Sequence, residues 1–339
     1  MQVIKPKIDN NEYKFIELDN KLQILVIYDK NTDKSAASMT VNTGFYNDPI
    51  HTQGLAHFLE HMLFMGTTKH KQENYFHQFI NESGGSTNAF TMEETTTFYF
   101  QVLNKYFLEG IDIFSEFFIN PLLSPNAIER ETNAVNSEHI KNLSSDSARL
   151  SSVLKEFVDN NHPYYNFGCG NISTLKKPNI RDELLNFYNK YYSANLMKLV
   201  ILSNIEINKI EKIVTKIFSK IKNHNATKLV IKGLPFNVPN NQNSECLNLI
   251  EIVPVADVEM IDIIWQIPNM DSYYEYKPLS HITHLLNHES DGGLYSYLKY
   301  NNFIVSLSAG IFEDDTSCHL YKVSIELTSK GFKYNRKHI

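Results

Sequence analysis

Gly54-Leu55-Ala56-His57-Phe58-Leu59-Glu60-His61-Met62-Leu63-Phe64-Met65-Gly66 is the stretch on which the reading of the fold turns. Leu55, Phe58, Leu59, Met62 and Leu63 recur at helical spacing, and Gly66 supplies a stop signal, so the segment reads as an amphipathic helix. On that helix His57 and His61 stand four residues apart, which is about 40° of rotation, so both rings share a face and can reach one ion. Glu60 lies near the same face, beside the ion and free to take a proton from metal-activated water. The order is the reverse of His-Glu-x-x-His, but the four-residue step between the ligands is kept. The plain structural alternative is a pair of part-buried histidines on a core helix.

Working outward, Lys21 to Tyr28 and Ala36 to Gly44 read as two strands joined by the polar stretch Asp29 to Lys34. After the helix, 73–81 continues helical and Gly84-Gly85 breaks it. Ser86 to Met92 and Thr95 to Leu103 then form a hairpin around Glu93-Glu94. Further helices are expected at 105–119, 126–143, 181–192 and 207–221, with a strand at 196–202. Ser124-Pro125 opens the second of these helices with a cap residue and a proline at the first helical position. The polar stretch Asn223 to Asn243, with Pro235 and Pro239, is the expected linker. Beyond it, strands at Leu247 to Pro254 and Met260 to Ile267, a helix at Pro278 to Asn287, and strands at 304–310 and 319–327 suggest a diverged copy of the opening pattern.

A catalytic zinc takes three protein ligands and leaves one position for water, so a third donor is needed. The helix at 126–143 offers Glu131 and Glu138, seven residues apart and two turns along one face. One can ligate while the other holds a ligand from behind, and spacing does not choose between them. A solvated acidic face is the alternative for such a pair.

At these residues a family resemblance enters. Gly54 to Thr67, Asn88-Ala89-Phe90-Thr91, Asn133 to His139, Phe167-Gly168 to Asn171 and Tyr191 to Leu196 resemble the insulin-degrading enzyme and pitrilysin family of zinc metallopeptidases, over nearly the whole chain. The family pattern separates the second His from the glutamate ligand by 76 residues, as His61 and Glu138 are here. The resemblance therefore implies His57, His61 and Glu138 as ligands of one zinc ion per chain, Glu60 as general base and Glu131 as the supporting carboxylate. It implies an α+β fold, a mixed β-sheet packed against helices, followed by a partial second domain of the same type. The expected division is 1–230 for the catalytic domain, 231–245 for the linker and 246–339 for the second domain. Asn88, Ala89 and Phe90 would lie on a sheet edge that pairs with an extended substrate. His288, Gly292, Gly293, Ser308, Ala309 and Gly310 resemble segments that anchor the substrate's N-terminal end, although turns explain those glycines equally well.

The resemblance also marks departures. Full-length relatives have four similar domains, and the C-terminal half contributes an Arg and a Tyr to the substrate carbonyl. Only the N-terminal part is matched here, so the oxyanion-stabilising role has no candidate, and a complementary C-terminal half or a homo-oligomer is an expected partner. Ala148 replaces the aromatic that insulin-degrading relatives place before the arginine at Arg149.

Composition narrows the alternatives. The 339 residues, 42% hydrophobic and 21% charged, suit two folded units. A net charge of -6 offers no field for a phosphate backbone, so nucleic acid is not an expected partner. No apolar run approaches the ~20 residues that cross a bilayer, and no membrane contact is expected. Cys169, Cys246 and Cys318 fit no metal or disulfide spacing and, with no leader apparent, suggest a cytoplasmic setting. Two readings follow: a zinc endopeptidase cleaving short extended peptides, or a dormant zinc-containing half-protein that binds peptides or docks with a partner. Zinc as a structural staple is the weaker third, since three ligands beside a free carboxylate is the open form.

Overall fold

A computed structural model describes residues 3–236 and 249–335. These residues form nine strands and eleven α-helices divided between two compact units. The first unit comprises 1–141 and 166–230, the second 142–165 and 231–339.

The first unit is a six-stranded mixed sheet carrying helices. Its strands are β1 (Glu12–Glu17), β2 (Gln23–Tyr28), β3 (Lys34–Val41), β4 (Ser86–Thr91), β5 (Thr96–Leu103) and β6 (Met197–Ser203), in the order β1-β2-β6-β3-β5-β4. β2 runs parallel to β6 and the other pairs are antiparallel. The two opening strands expected from sequence are present but do not pair with each other, because β6 lies between them. Strict alternation in β3, every second residue buried, fits a strand with one face on a core and explains why its register is firm.

The helices are α1 (Leu55–Leu63), α2 (Tyr75–Glu82), α3 (Phe107–Ser115), α4 (Pro125–Asn142), α6 (Ile172–Leu175), α7 (Ile180–Tyr191) and α8 (Ile207–Phe218), with α5 (Asp146–Lys155) in the second unit. α1 buries Leu55, Ala56, Phe58, Leu59, Met62 and Leu63 in the main core, which leaves His57 and His61 on the opposite, part-exposed face. Phe76, Phe98, Phe100, Phe114, Phe117 and Phe118 pack edge-on and tilted beneath it. The start of α1 is held by the buried Asp48 carboxylate, which accepts hydrogen bonds from the Gly54 N–H (2.7 Å) and Ala56 N–H (2.8 Å). Gly54 has φ +85°, and a Cβ there would stand 2.2 Å from the Gly170 Cα, so backbone conformation and close approach both demand glycine.

The second unit has β7 (Met260–Pro268), β8 (Ile304–Asp314) and β9 (Cys318–Leu327) in the order β7-β9-β8, all antiparallel, with α9 (Pro278–Asn287), α10 (Leu294–Tyr300) and α11 (Ser329–Asn335). Ile304, Leu307, Tyr321, Val323 and Leu327 form its small core. The strand expected at Leu247 to Pro254 is corrected: Leu247 and Asn248 lie outside the described residues, and 249–254 contains no strand. Val253 and Val255 are exposed there, so the apolar residues that suggested a strand face no sheet. The second unit therefore does not repeat a strand-strand-helix opening among the described residues. Its β7-α9-α10-β8-β9-α11 order instead matches β3-α1-α2-β4-β5-α3 of the first, with the same pairing of the middle strand. Cys246 and residues 237–245 of the expected linker lie outside the described residues.

Candidate metal centre

α1 and α4 bring five side chains together. The Nε2 atoms of His57 and His61 lie 3.6 and 3.8 Å from the same Glu138 carboxylate oxygen. One ligand atom from each of the three residues falls within 4.8 Å of the other two. Tetrahedral zinc with bonds of ~2.0–2.1 Å separates its ligand atoms by ~3.3 Å, so the donor set needs only a small contraction to share an ion.

The imidazoles are prepared for that role from behind. His57 donates its Nδ1–H to the Cys169 carbonyl at 2.7 Å, and His61 donates its Nδ1–H to Glu131 Oε2 at 3.1 Å. Neither acceptor has a hydrogen to give, so both rings are fixed in the tautomer whose Nε2 lone pair is free. The rings stand edge to face, with centroids 4.9 Å apart. Glu131 and Glu138 flank the buried Val135 on one face of α4, which explains why one backs a ring while the other meets both Nε2 atoms.

Glu60 is buried on the same helix, and its Oε2 accepts a 2.6 Å hydrogen bond from Thr91 Oγ1 at the end of β4. Burial raises its pKa, against the lowering pull of the Thr91 hydroxyl and the two histidines. For His61, burial pulls the pKa down, but the Glu131 hydrogen bond and the charges of Glu60, Glu131 and Glu138 outweigh it and the net shift is upward. Tyr192, fully buried, stays a neutral phenol because burial and the Glu60 charge both raise its pKa. Thr91, Cys169 and Tyr192 lie within the stretches that carry the resemblance, but the sequence reading gave none of them a role beside Glu60 or the histidines. A threonine on a strand, a core tyrosine and a main-chain oxygen carry no residue-type signal of such a role.

Asn88, Ala89 and Phe90 lie on β4, the outer strand of the sheet, whose free edge has no strand partner among the described residues. Asn88 and Phe90 are exposed while Ala89 packs against the core. The remaining sequence-expected positions belong to the second unit. His288 follows α9, and Gly292 and Gly293 help to line an open hollow of about 460 Å³ at the start of α10. Ser308, Ala309 and Gly310 lie on β8, where the Asn287 amide engages both the Ala309 N–H (2.6 Å) and C=O (3.0 Å). Asp271, Asp314 and His319, in the second unit, also bring three donors together. There, however, His319 donates Nδ1–H to Asp314 and its Nε2 accepts from the Met270 N–H at 2.7 Å, so neither nitrogen is free for a metal.

Two imidazoles with free Nε2 atoms, one carboxylate at the same point and a second buried carboxylate alongside form the donor set that an open zinc centre requires, on an α+β domain. The chain belongs to peptidase family M16: residues 23–159 match the insulinase (peptidase family M16) model and residues 179–336 the M16 inactive-domain model. It is 38% identical over 340 residues to "Insulin-degrading enzyme-like 1, peroxisomal" of Arabidopsis thaliana, covering 98% of this chain and 34% of that protein. It is 37% identical over 335 residues to the insulin-degrading enzyme of Homo sapiens, covering 97% and 32%. Among solved structures, pitrilysin superposes with a TM-score of 0.86 at 30% identity, covering 98% of this chain and 35% of that one. The chain thus spans about a third of the length of the curated relatives it matches.

Proposed function

We propose that this chain carries the catalytic centre of a zinc-dependent endopeptidase, with His57, His61 and Glu138 holding one zinc ion and Glu60 acting as general base on short, extended peptides. The observation that supports it best is the convergence of two backed Nε2 atoms on one Glu138 oxygen, 3.6 and 3.8 Å away, with Glu60 beside them. Zinc bound there supplies a Lewis acid for the scissile carbonyl and lowers the pKa of water toward ~7. Glu131 and the Cys169 carbonyl keep the two rings oriented. Glu60 takes the proton of the attacking water and delivers it to the leaving amine nitrogen, and its burial makes it a stronger base near neutral pH. The free edge of β4 pairs with the peptide backbone, which reads extended shape more than side-chain identity.

Fluorogenic-peptide hydrolysis, with and without chelator, tests this reading. Chelator-sensitive cleavage by the wild-type chain and loss of at least ~10²-fold in Glu60→Gln with zinc still bound at one equivalent are expected. Zinc bound at one equivalent with no cleavage would favour a half-protein that holds peptides without turning them over. An unchanged rate in Glu60→Gln would remove that residue from the chemistry.

A further inference from the structure

The geometry points to Thr91 as the positioning residue that fixes the Glu60 carboxylate, linking the peptide-pairing strand β4 to the proton-transfer step; this rests on the reading of Glu60 as general base. Thr91 is the last residue of β4, immediately after Phe90, and its Oγ1 donates to Glu60 Oε2 at 2.6 Å, the short separation expected of a hydroxyl bonded to a carboxylate. The other acceptor near that hydroxyl, Thr96 Oγ1, is 3.5 Å away. Thr96 is fully buried and donates its own hydrogen to the Thr43 carbonyl at 2.9 Å, so it has none to offer to Thr91 or Glu60. The single Thr91 hydrogen is thus directed at Oε2.

Two consequences follow from that hold. The carboxylate is pinned through one oxygen, leaving the second for water, so a free rotor becomes an oriented base. Because Thr91 belongs to the strand that pairs with substrate, a shift of β4 on peptide binding is transmitted to the base through one hydrogen bond. The strand's side-chain alternation serves both tasks: Asn88 and Phe90 are exposed, while Thr91 is turned inward to Glu60.

Thr91→Val keeps the branched shape and the strand propensity while deleting the donor. The expected result is one equivalent of zinc retained, kcat lowered roughly 10- to 100-fold, KM within about twofold of wild type, and most of the rate restored in Thr91→Ser. A readout without turnover accompanies it. The Glu60 carboxylate stretch, isolated as the infrared difference between each protein and its Glu60→Gln counterpart, is expected to shift to higher frequency in Thr91→Val and to return in Thr91→Ser. An unmoved band, an unchanged kcat, a change in KM alone, or loss of zinc from the Val variant would overturn the assignment. If the wild-type chain shows no turnover, the general-base reading falls while the infrared band still decides whether Thr91 holds Glu60.

Discussion

At the residue scale, Glu131 shows how a carboxylate set behind a proposed zinc ligand can govern it. It orients His61 and, with Glu60 and Glu138, raises that ring's pKa above 6.5. In the metal-free protein a raised histidine pKa contributes stability below pH 6.5 that is lost as pH rises through the folded value. For zinc binding the same proton is a competitor, so affinity falls as pH drops through the raised pKa. Glu131→Gln is expected to weaken zinc 10- to 100-fold at pH 8 and to move the acid limb of binding to lower pH, as measured by competition with a chromophoric chelator. That His57 and His61 share a face was legible in the sequence, because helical periodicity fixes which residues lie side by side. The choice between Glu131 and Glu138 was not legible from spacing, since a seven-residue step puts both on one side of α4. Only the placement of α4 against α1 sends one behind His61 and the other to the Nε2 atoms.

At the element scale, α1 is held at its start by Asp48, which replaces the missing intrahelical partners of two N–H groups in a buried setting. Asp48→Ala is expected to destabilise the first unit by about 1–3 kcal/mol and to weaken zinc binding by loosening the first turn, seen as a lower urea midpoint and a lower zinc affinity. Asp48 has no sequence signature as a cap because it lies six residues before Gly54, reaching the helix through a loop rather than from the cap position. The same limit explains the strands. Composition and alternation placed strands at 21–28, 36–44, 86–92, 95–103 and 196–202, within a few residues of β2 to β6, but alternation says nothing about which strands are neighbours. The insertion of β6 between β2 and β3 joins residues more than 150 positions apart. β1 went unread because Glu12, Lys14 and Glu17 mask a short outer strand.

At the scale of the whole molecule, every donor of the proposed metal centre belongs to the first unit, while the single tryptophan, Trp265, lies on β7 of the second. Ligand binding stabilises only the structure that binds, by about 2.7 kcal/mol at a hundredfold excess over Kd. Zinc is therefore expected to raise the urea midpoint followed by far-ultraviolet circular dichroism more than the midpoint followed by Trp265 fluorescence. Equal shifts would show that the two units unfold together. The assignment of 142–165 to the second unit was not foreseen. Asp146 accepts hydrogen bonds from the N–H groups of Val255 and Ala256, and Ser151 donates to Glu313, contacts over more than 100 residues that no local pattern encodes.

X-ray absorption at the zinc edge, on protein loaded with one equivalent of metal, addresses the metal centre most directly. Four nitrogen or oxygen neighbours at ~2.0–2.1 Å, with outer-shell scattering from two imidazole rings, are predicted for His57, His61, Glu138 and one solvent molecule. A sulfur neighbour at ~2.3 Å, or a shell without imidazole scattering, would contradict it.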